Sequence, residues 1–173
     1  EHADDIDNAV FPGSQGGPLM HNVAGKAVGF GEALDPAFTE YAEQVVANAR
    51  ALGDQLAEHG LSLVSGGTDT HLVLVDLRES HPTLSGGDAE EALDETGIVL
   101  NGNTVPGETR SPFDPSGIRA GTAALTTRGF EEDAIREVGD LIARVLDAPE
   151  DDAVLDDVSE RVDELCAAHP LYE

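Results

Sequence analysis

Arg119 is the residue whose setting most needs a chemical explanation. It stands in the apolar, strand-like run SGIRAG (116–121), where a solvated charge is out of place. A buried arginine needs a carboxylate or phosphate partner, and its planar fork suits a bidentate carboxylate. An internal ion pair with one of the chain's own acids would satisfy the same need, and the sequence leaves both open. A second candidate is the turn FPGSQGGP (11–18). Such a glycine-rich turn exposes backbone N–H groups at the entry to a helix, an arrangement that holds an anion without a lysine. The plainer reading is a helix entry that uses glycine for tight packing. A third candidate is Asn103 with Ser111-Pro112-Phe113, in the loop NGNTVPGETRSPFDPS (101–116). Asparagine offers a donor and an acceptor, and phenylalanine a flat face, as a heterocycle requires. Taken alone, these are ordinary turn residues.

Other reactive residue types carry less. The six histidines, at 2, 21, 59, 71, 81 and 169, have no metal spacing such as His-Glu-x-x-His. His71 opens a strand beside Asp69, though a satisfied core histidine is its plainer reading. His59 and His169 fall near helix ends, where positive charge is favoured. Cys166, the one cysteine, excludes an internal disulfide framework and reads as a core residue. No serine lies in a Gly-x-Ser-x-Gly elbow.

An alternation of helices and strands must position these residues. The chain up to Pro18 reads as a Gly/Pro-rich loop entering an apolar helix over 19–34, where Gly25, Gly29 and Gly31 predict burial against another backbone. Asp35 as N-cap, Pro36 at the first helical position and Gly60 as the stop predict a long helix. Phe38, Tyr41, Val45, Ala49, Leu52 and Leu56 give it one apolar face. Two β-rich runs, 61–64 and 71–77, flank SGGTDT and read as antiparallel neighbours. Ser85 and Asp88 have capping-box spacing for a short helix that ends at Gly97. Residues 98–100 and 117–122 read as further strands, joined by a long loop of the kind that usually carries function. Thr127 as cap predicts a helix with Glu131, Glu132 and Asp133 in its first turn. Its core face is Phe130, Ile135, Val138, Ile142 and Val145, and a last helix follows over about 152–168. The order predicts an α/β sandwich, with helices on an antiparallel or mixed sheet.

Composition sets the outer limits. The 173 residues suit one domain, or a small domain plus part of another. Thirty-five acidic against nine basic residues give a net charge of −26, which argues against nucleic acid and against an anionic membrane surface. The acids are spread over segments with apolar periodicity, unlike a disordered tail. Such self-repulsion is tolerated where screening shortens to roughly 3 Å, in molar salt, so a salt-adapted protein is expected. No apolar run reaches a membrane span and the first residues lack a signal-peptide pattern, so a cytoplasmic protein is expected.

Five segments in order make the chain resemble the C-terminal part of serine hydroxymethyltransferase: FPGSQGGPLMH, GKAV, SGGTDTHLVLVDL, NGNTVPGETRSPF and SGIRAGTAALTTRGF. The likeness runs from about Val10 to Pro170-Leu171-Tyr172. It implies the fold-type I, aminotransferase-like α/β architecture of pyridoxal 5'-phosphate enzymes. Residues 1–35 would be the C-terminal end of the large cofactor domain, and 36–173 the small α/β domain entered by the long helix. The implied reaction interconverts serine and glycine, with tetrahydrofolate as one-carbon carrier, in a cytoplasmic homodimer or tetramer.

By that resemblance Arg119 grips the amino-acid carboxylate. Gly16 and Gly17 reach the cofactor phosphate across the dimer interface. Asn103, Ser111, Pro112 and Phe113 contact the folate or a related pterin. Thr70 stands where the family usually has Asn, and Gly102 where bacterial members commonly have Lys. Pyridoxal chemistry also needs a Schiff-base lysine. Lys26, in AGKAV, is the chain's one lysine and matches a different family segment. These residues alone are therefore expected to be inactive. The alternative is a non-catalytic small-ligand-binding or regulatory α/β domain derived from such an enzyme. That domain is expected to begin near Asp35, without an apolar helix at 19–34. A third possibility, another fold-type I enzyme, is disfavoured by the folate-like loop.

Overall fold

A computed structural model of the chain describes residues 1–171, so Tyr172 of the family-like ending lies outside the described residues. The chain divides into two units, Glu1–Thr39 and Glu40–Glu173. The first holds α1 (Ala3–Asn8), a wide-turn helical segment (Ala9–Ser14) and α2 (Met20–Ala33). The loop expected up to Pro18 is thus largely helical, with Asp4 and Asp5 in the first turn of α1, where acids complement the helix dipole. Helix α2 forms where expected but is not buried. Met20, Val28, Phe30 and Leu34 are exposed, and among the described residues no atom beyond the adjoining helix backbone lies within 4 Å of a Cβ placed at Gly25, Gly29 or Gly31. Apolar content marks a face for covering, but it does not supply the cover.

Helix α3 (Pro36–Glu58) starts where Asp35 Oδ1 accepts the Ala37 N–H at 2.9 Å, and Gly60 (φ +81°) follows its end. Val45, Ala49, Leu52 and Leu56 of the expected stripe are buried, whereas Phe38 is exposed and Tyr41 half-buried. Strands β1 (Ser62–Leu63), β2 (Leu72–Asp76), β3 (Asn101–Asn103) and β4 (Gly117–Gly121) form an antiparallel sheet in the order β1-β2-β4-β3. Strand β3 lies just beyond the expected 98–100. Leu100 is buried, but Val99 is 80% exposed, and it is Asn101–Asn103 that pairs with β4.

Helix α4 (Gly86–Glu95) opens on a full capping box: Ser85 Oγ accepts the Asp88 N–H at 3.0 Å, and Asp88 Oδ2 accepts the Ser85 N–H at 3.3 Å. A short α5 (Ala123–Thr127) follows β4. Thr127 ends this helix instead of capping the next one, and its hydroxyl donates to Ala123 O at 2.9 Å. Helix α6 (Glu132–Asp147) starts from Glu131, and α7 (Asp152–Ala168) from Asp151, whose Oδ1 accepts the Ala153 N–H at 3.0 Å.

The core lies between one face of the sheet and the helices. Val73, Val75, Ile118 and Ala120 point into it, with Leu52, Leu56, Leu93, Ile142 and Leu146. Each fully buried valine, leucine or isoleucine side chain contributes roughly 1.5–3 kcal/mol. One buried polar residue ties α3 to the α5–α6 corner. Asn48 Nδ2 donates to Thr126 Oγ1 and to Phe130 O, both at 2.9 Å.

Candidate functional site

Successive residues of β4 point to opposite faces of the sheet. Ile118 and Ala120 are buried, whereas Arg119 and Gly121 are exposed. Arg119 is therefore not the buried charge its flanks suggested, because those flanks belong to the other face. Nor does it form an ion pair among the described residues: its Nη2 donates to Asn101 Oδ1 at 2.9 Å.

The strand register assembles a patch around it. Leu74 and Asn101 lie directly opposite Arg119, while Asp76 and Asn103 lie opposite Gly117. Arg119, Asn101 and Asn103 therefore share the open face of the sheet. Asn103 is half-buried, and its Nδ2 donates to Thr104 O at 2.7 Å. Ser111, Pro112 and Phe113 sit on the loop between β3 and β4, all exposed, Phe113 by 98%. Gly102 faces the opposite way, with its N–H donating to Glu90 Oε2 on α4 at 2.7 Å.

That loop is not structureless, because Glu108 organises it. Its Oε1 accepts the N–H groups of Thr109 and Arg110 at 2.9 Å and the Ser116 hydroxyl at 2.7 Å, while Oε2 accepts the Ser116 N–H at 2.9 Å. These bonds, led by the Arg110 N–H and the Ser116 hydroxyl, favour the carboxylate and hold its pKa at about 2. Arg78 fastens the loop to β2. It donates to Pro106 O and Gly107 O, both at 3.0 Å, and its hydrogen bond to Asp76 holds that carboxyl below its usual range. An acid inside a Pro-Gly turn was the one sequence signal for this role.

Glu108 has a lower pKa folded than unfolded, so its contribution is complete above about 4.5 and is lost as pH falls toward about 2. Amide exchange at Thr109, Arg110 and Ser116, corrected for intrinsic rates, is expected to accelerate across that window relative to the core strands. Glu108→Gln is expected to abolish this dependence. Protection in the unaltered chain that stays constant across the window would contradict it.

Two glycines let the loop ends close on β4. A Cβ at Gly117 would meet Val105 Cγ1 and would lie 2.5 Å from Val75 O and 3.0 Å from Asn103 O. Gly86 donates its N–H to Pro115 O at 2.7 Å, and a Cβ on it would run into Gly117 O.

In the first unit Gly16 and Gly17 are exposed, and a Cβ on either would meet nothing within 4 Å. Their backbone is open to a close-approaching group such as a phosphate. Lys26 is exposed on α2. His71 is exposed rather than in the core, and Asp69 pairs with Arg50 at 2.9 Å. A broad cleft between 80–95 and 146–153 includes none of the predicted site residues. Its carboxylates, among them Asp88, Glu91, Glu95, Asp147 and Asp152, would repel an anionic ligand. Among the described residues no group of three or more His, Cys, Asp or Glu is placed to hold a metal, and no helix is long and apolar enough to cross a membrane.

Fold and site together define a mixed α/β protein whose small antiparallel sheet presents an arginine and two asparagines on its open face. The serine hydroxymethyltransferase profile matches residues 1–142, and the chain belongs to that family. Over 173 residues it is 73% identical to the serine hydroxymethyltransferase of Haloarcula marismortui, covering 100% of this chain and 42% of that protein. The corresponding protein of Halorubrum lacusprofundi is 70% identical, with the same two coverages of 100% and 42%. That of Natronomonas pharaonis is 69% identical, covering 100% of this chain and 41% of that protein. The chain thus spans about two fifths of the length of these relatives.

Proposed function

We propose that the chain is the C-terminal part of a pyridoxal 5'-phosphate-dependent enzyme that interconverts serine and glycine with tetrahydrofolate. Identity of 73% to a serine hydroxymethyltransferase over the whole chain is the observation that carries this reading. In it, residues 1–35 complete the large cofactor domain and 36–173 form the small domain. The exposed apolar residues of α2 suit a helix that is covered in a longer protein. The charge of −26 suits a cytoplasm rich in salt.

Each residue has a physical task. Arg119, free of any carboxylate partner among the described residues, binds and orients the amino-acid carboxylate. Gly16 and Gly17 hold the cofactor phosphate through backbone N–H groups, from the neighbouring subunit of a homodimer or tetramer. Asn103 offers a donor and an acceptor to the pterin of the folate, and Ser111-Pro112-Phe113 line its ring. The bound cofactor supplies an electron sink for bond cleavage at the amino-acid α-carbon. The lysine that holds it covalently is contributed by the remainder of the enzyme, and the 173 residues alone are inactive.

The test is an assay of the complete gene product in molar KCl. Serine is expected to yield glycine in a tetrahydrofolate-dependent reaction, while the 173-residue chain given pyridoxal phosphate produces none. Turnover by the short chain, or no turnover by the complete one, would contradict the proposal.

A further inference from the structure

We propose that Asn101 is a positioning residue, whose side-chain amide aims the Arg119 guanidinium at the amino-acid carboxylate. The inference rests on the carboxylate role assigned to Arg119. Asn101 is directly cross-strand from Arg119, the arrangement in which side chains on adjacent strands meet most closely. Its Oδ1 takes one guanidinium N–H at 2.9 Å. Both residues are exposed, so without that bond the long arginine side chain would sample many rotamers, which binding a ligand would have to restrict.

The chain has 35 acidic residues and eight arginines. Five of those arginines, at 50, 78, 110, 144 and 161, sit in ion pairs. Arg119 instead meets a neutral acceptor. An amide oxygen fixes one of the five donors and leaves the positive charge and the other donors for a ligand. A carboxylate in the same place would form an internal ion pair and compete with the substrate for the fork. Asn101 thus steadies Arg119 without neutralising it.

The experiment uses the complete holoenzyme with Asn101→Ala, Asn101→Asp, Asn101→Gln and Arg119→Ala. Serine KM, kcat, tetrahydrofolate KM and the thermal midpoint are measured for each. Asn101→Ala is expected to raise serine KM roughly threefold to tenfold with kcat changed far less. Asn101→Asp, although closer in shape, is expected to raise it further than alanine does. Asn101→Gln, which keeps the amide, recovers part of the loss. Folate KM and the thermal midpoint stay near the parent values, which a merely structural role would not produce. If Arg119→Ala raises serine KM while the alanine and aspartate variants at 101 stay within about twofold of the parent, positioning is refuted and the carboxylate role stands. If Arg119→Ala leaves serine KM unchanged, the carboxylate role fails and this inference fails with it.

Discussion

Arg119→Ala in the complete enzyme is expected to raise the serine and glycine concentrations for half-saturation roughly 10- to 100-fold. That factor corresponds to a lost charged hydrogen bond of about 1.5–3 kcal/mol. The guanidinium lies on the open face of the sheet, held by Asn101 and by no carboxylate among the described residues, so its charge is available to a ligand. Arg119→Lys should restore only part of the affinity, since an ammonium cannot present two parallel N–H groups to one carboxylate. The thermal midpoint should move little, because the side chain is exposed and faces away from Ile118 and Ala120. Unchanged amino-acid binding in the alanine variant would remove Arg119 from the site.

The second large effect is on stability. Gly117→Ala adds one methyl group where Val105 Cγ1, Val75 O and Asn103 O already stand. Overpacking of this kind costs about 1–3 kcal/mol, and two of these obstacles are backbone oxygens that cannot rotate aside. A cost near the upper end lowers the thermal midpoint by roughly 6–12 °C in a domain of this size. Gly86→Ala is expected to behave similarly, since its new methyl runs into Gly117 O. Gly121→Ala is the control on the same strand, because there the nearest atom to a Cβ is His71 O at 3.7 Å, an ordinary contact. It should change stability by no more than about 0.5 kcal/mol. Thermal scans giving Gly117→Ala and Gly121→Ala equal midpoints would refute the packing argument.

How much of this could be read from the sequence depends on where each signal lies. Helices α3 and α4 were legible because their starts are local: Asp35-Pro36 for one, Ser85 with Asp88 for the other. Strand β3 was misplaced because Asn-Gly-Asn has little strand propensity and becomes a strand through its pairing with β4. The face of Arg119 was legible in principle, since apolar Ile118 and Ala120 at alternate positions mark the core side. Read as a continuous run, the same apolar flanks hide that alternation and make the arginine look buried. Asn101, Glu108, Gly86 and Gly117 carry no local signal, because their partners are distant in sequence or are backbone atoms. Gly16 and Gly17 stand out only through the family resemblance, and Asn103, a candidate by its amide chemistry, takes its folate role from the same source.

Borohydride reduction, followed by the intact mass of the protein isolated from its own cells, decides whether these residues belong to a longer pyridoxal enzyme. A mass well above 18.1 kDa, carrying one covalent pyridoxyl group, is expected. A mass of 18.1 kDa with no such group would contradict it.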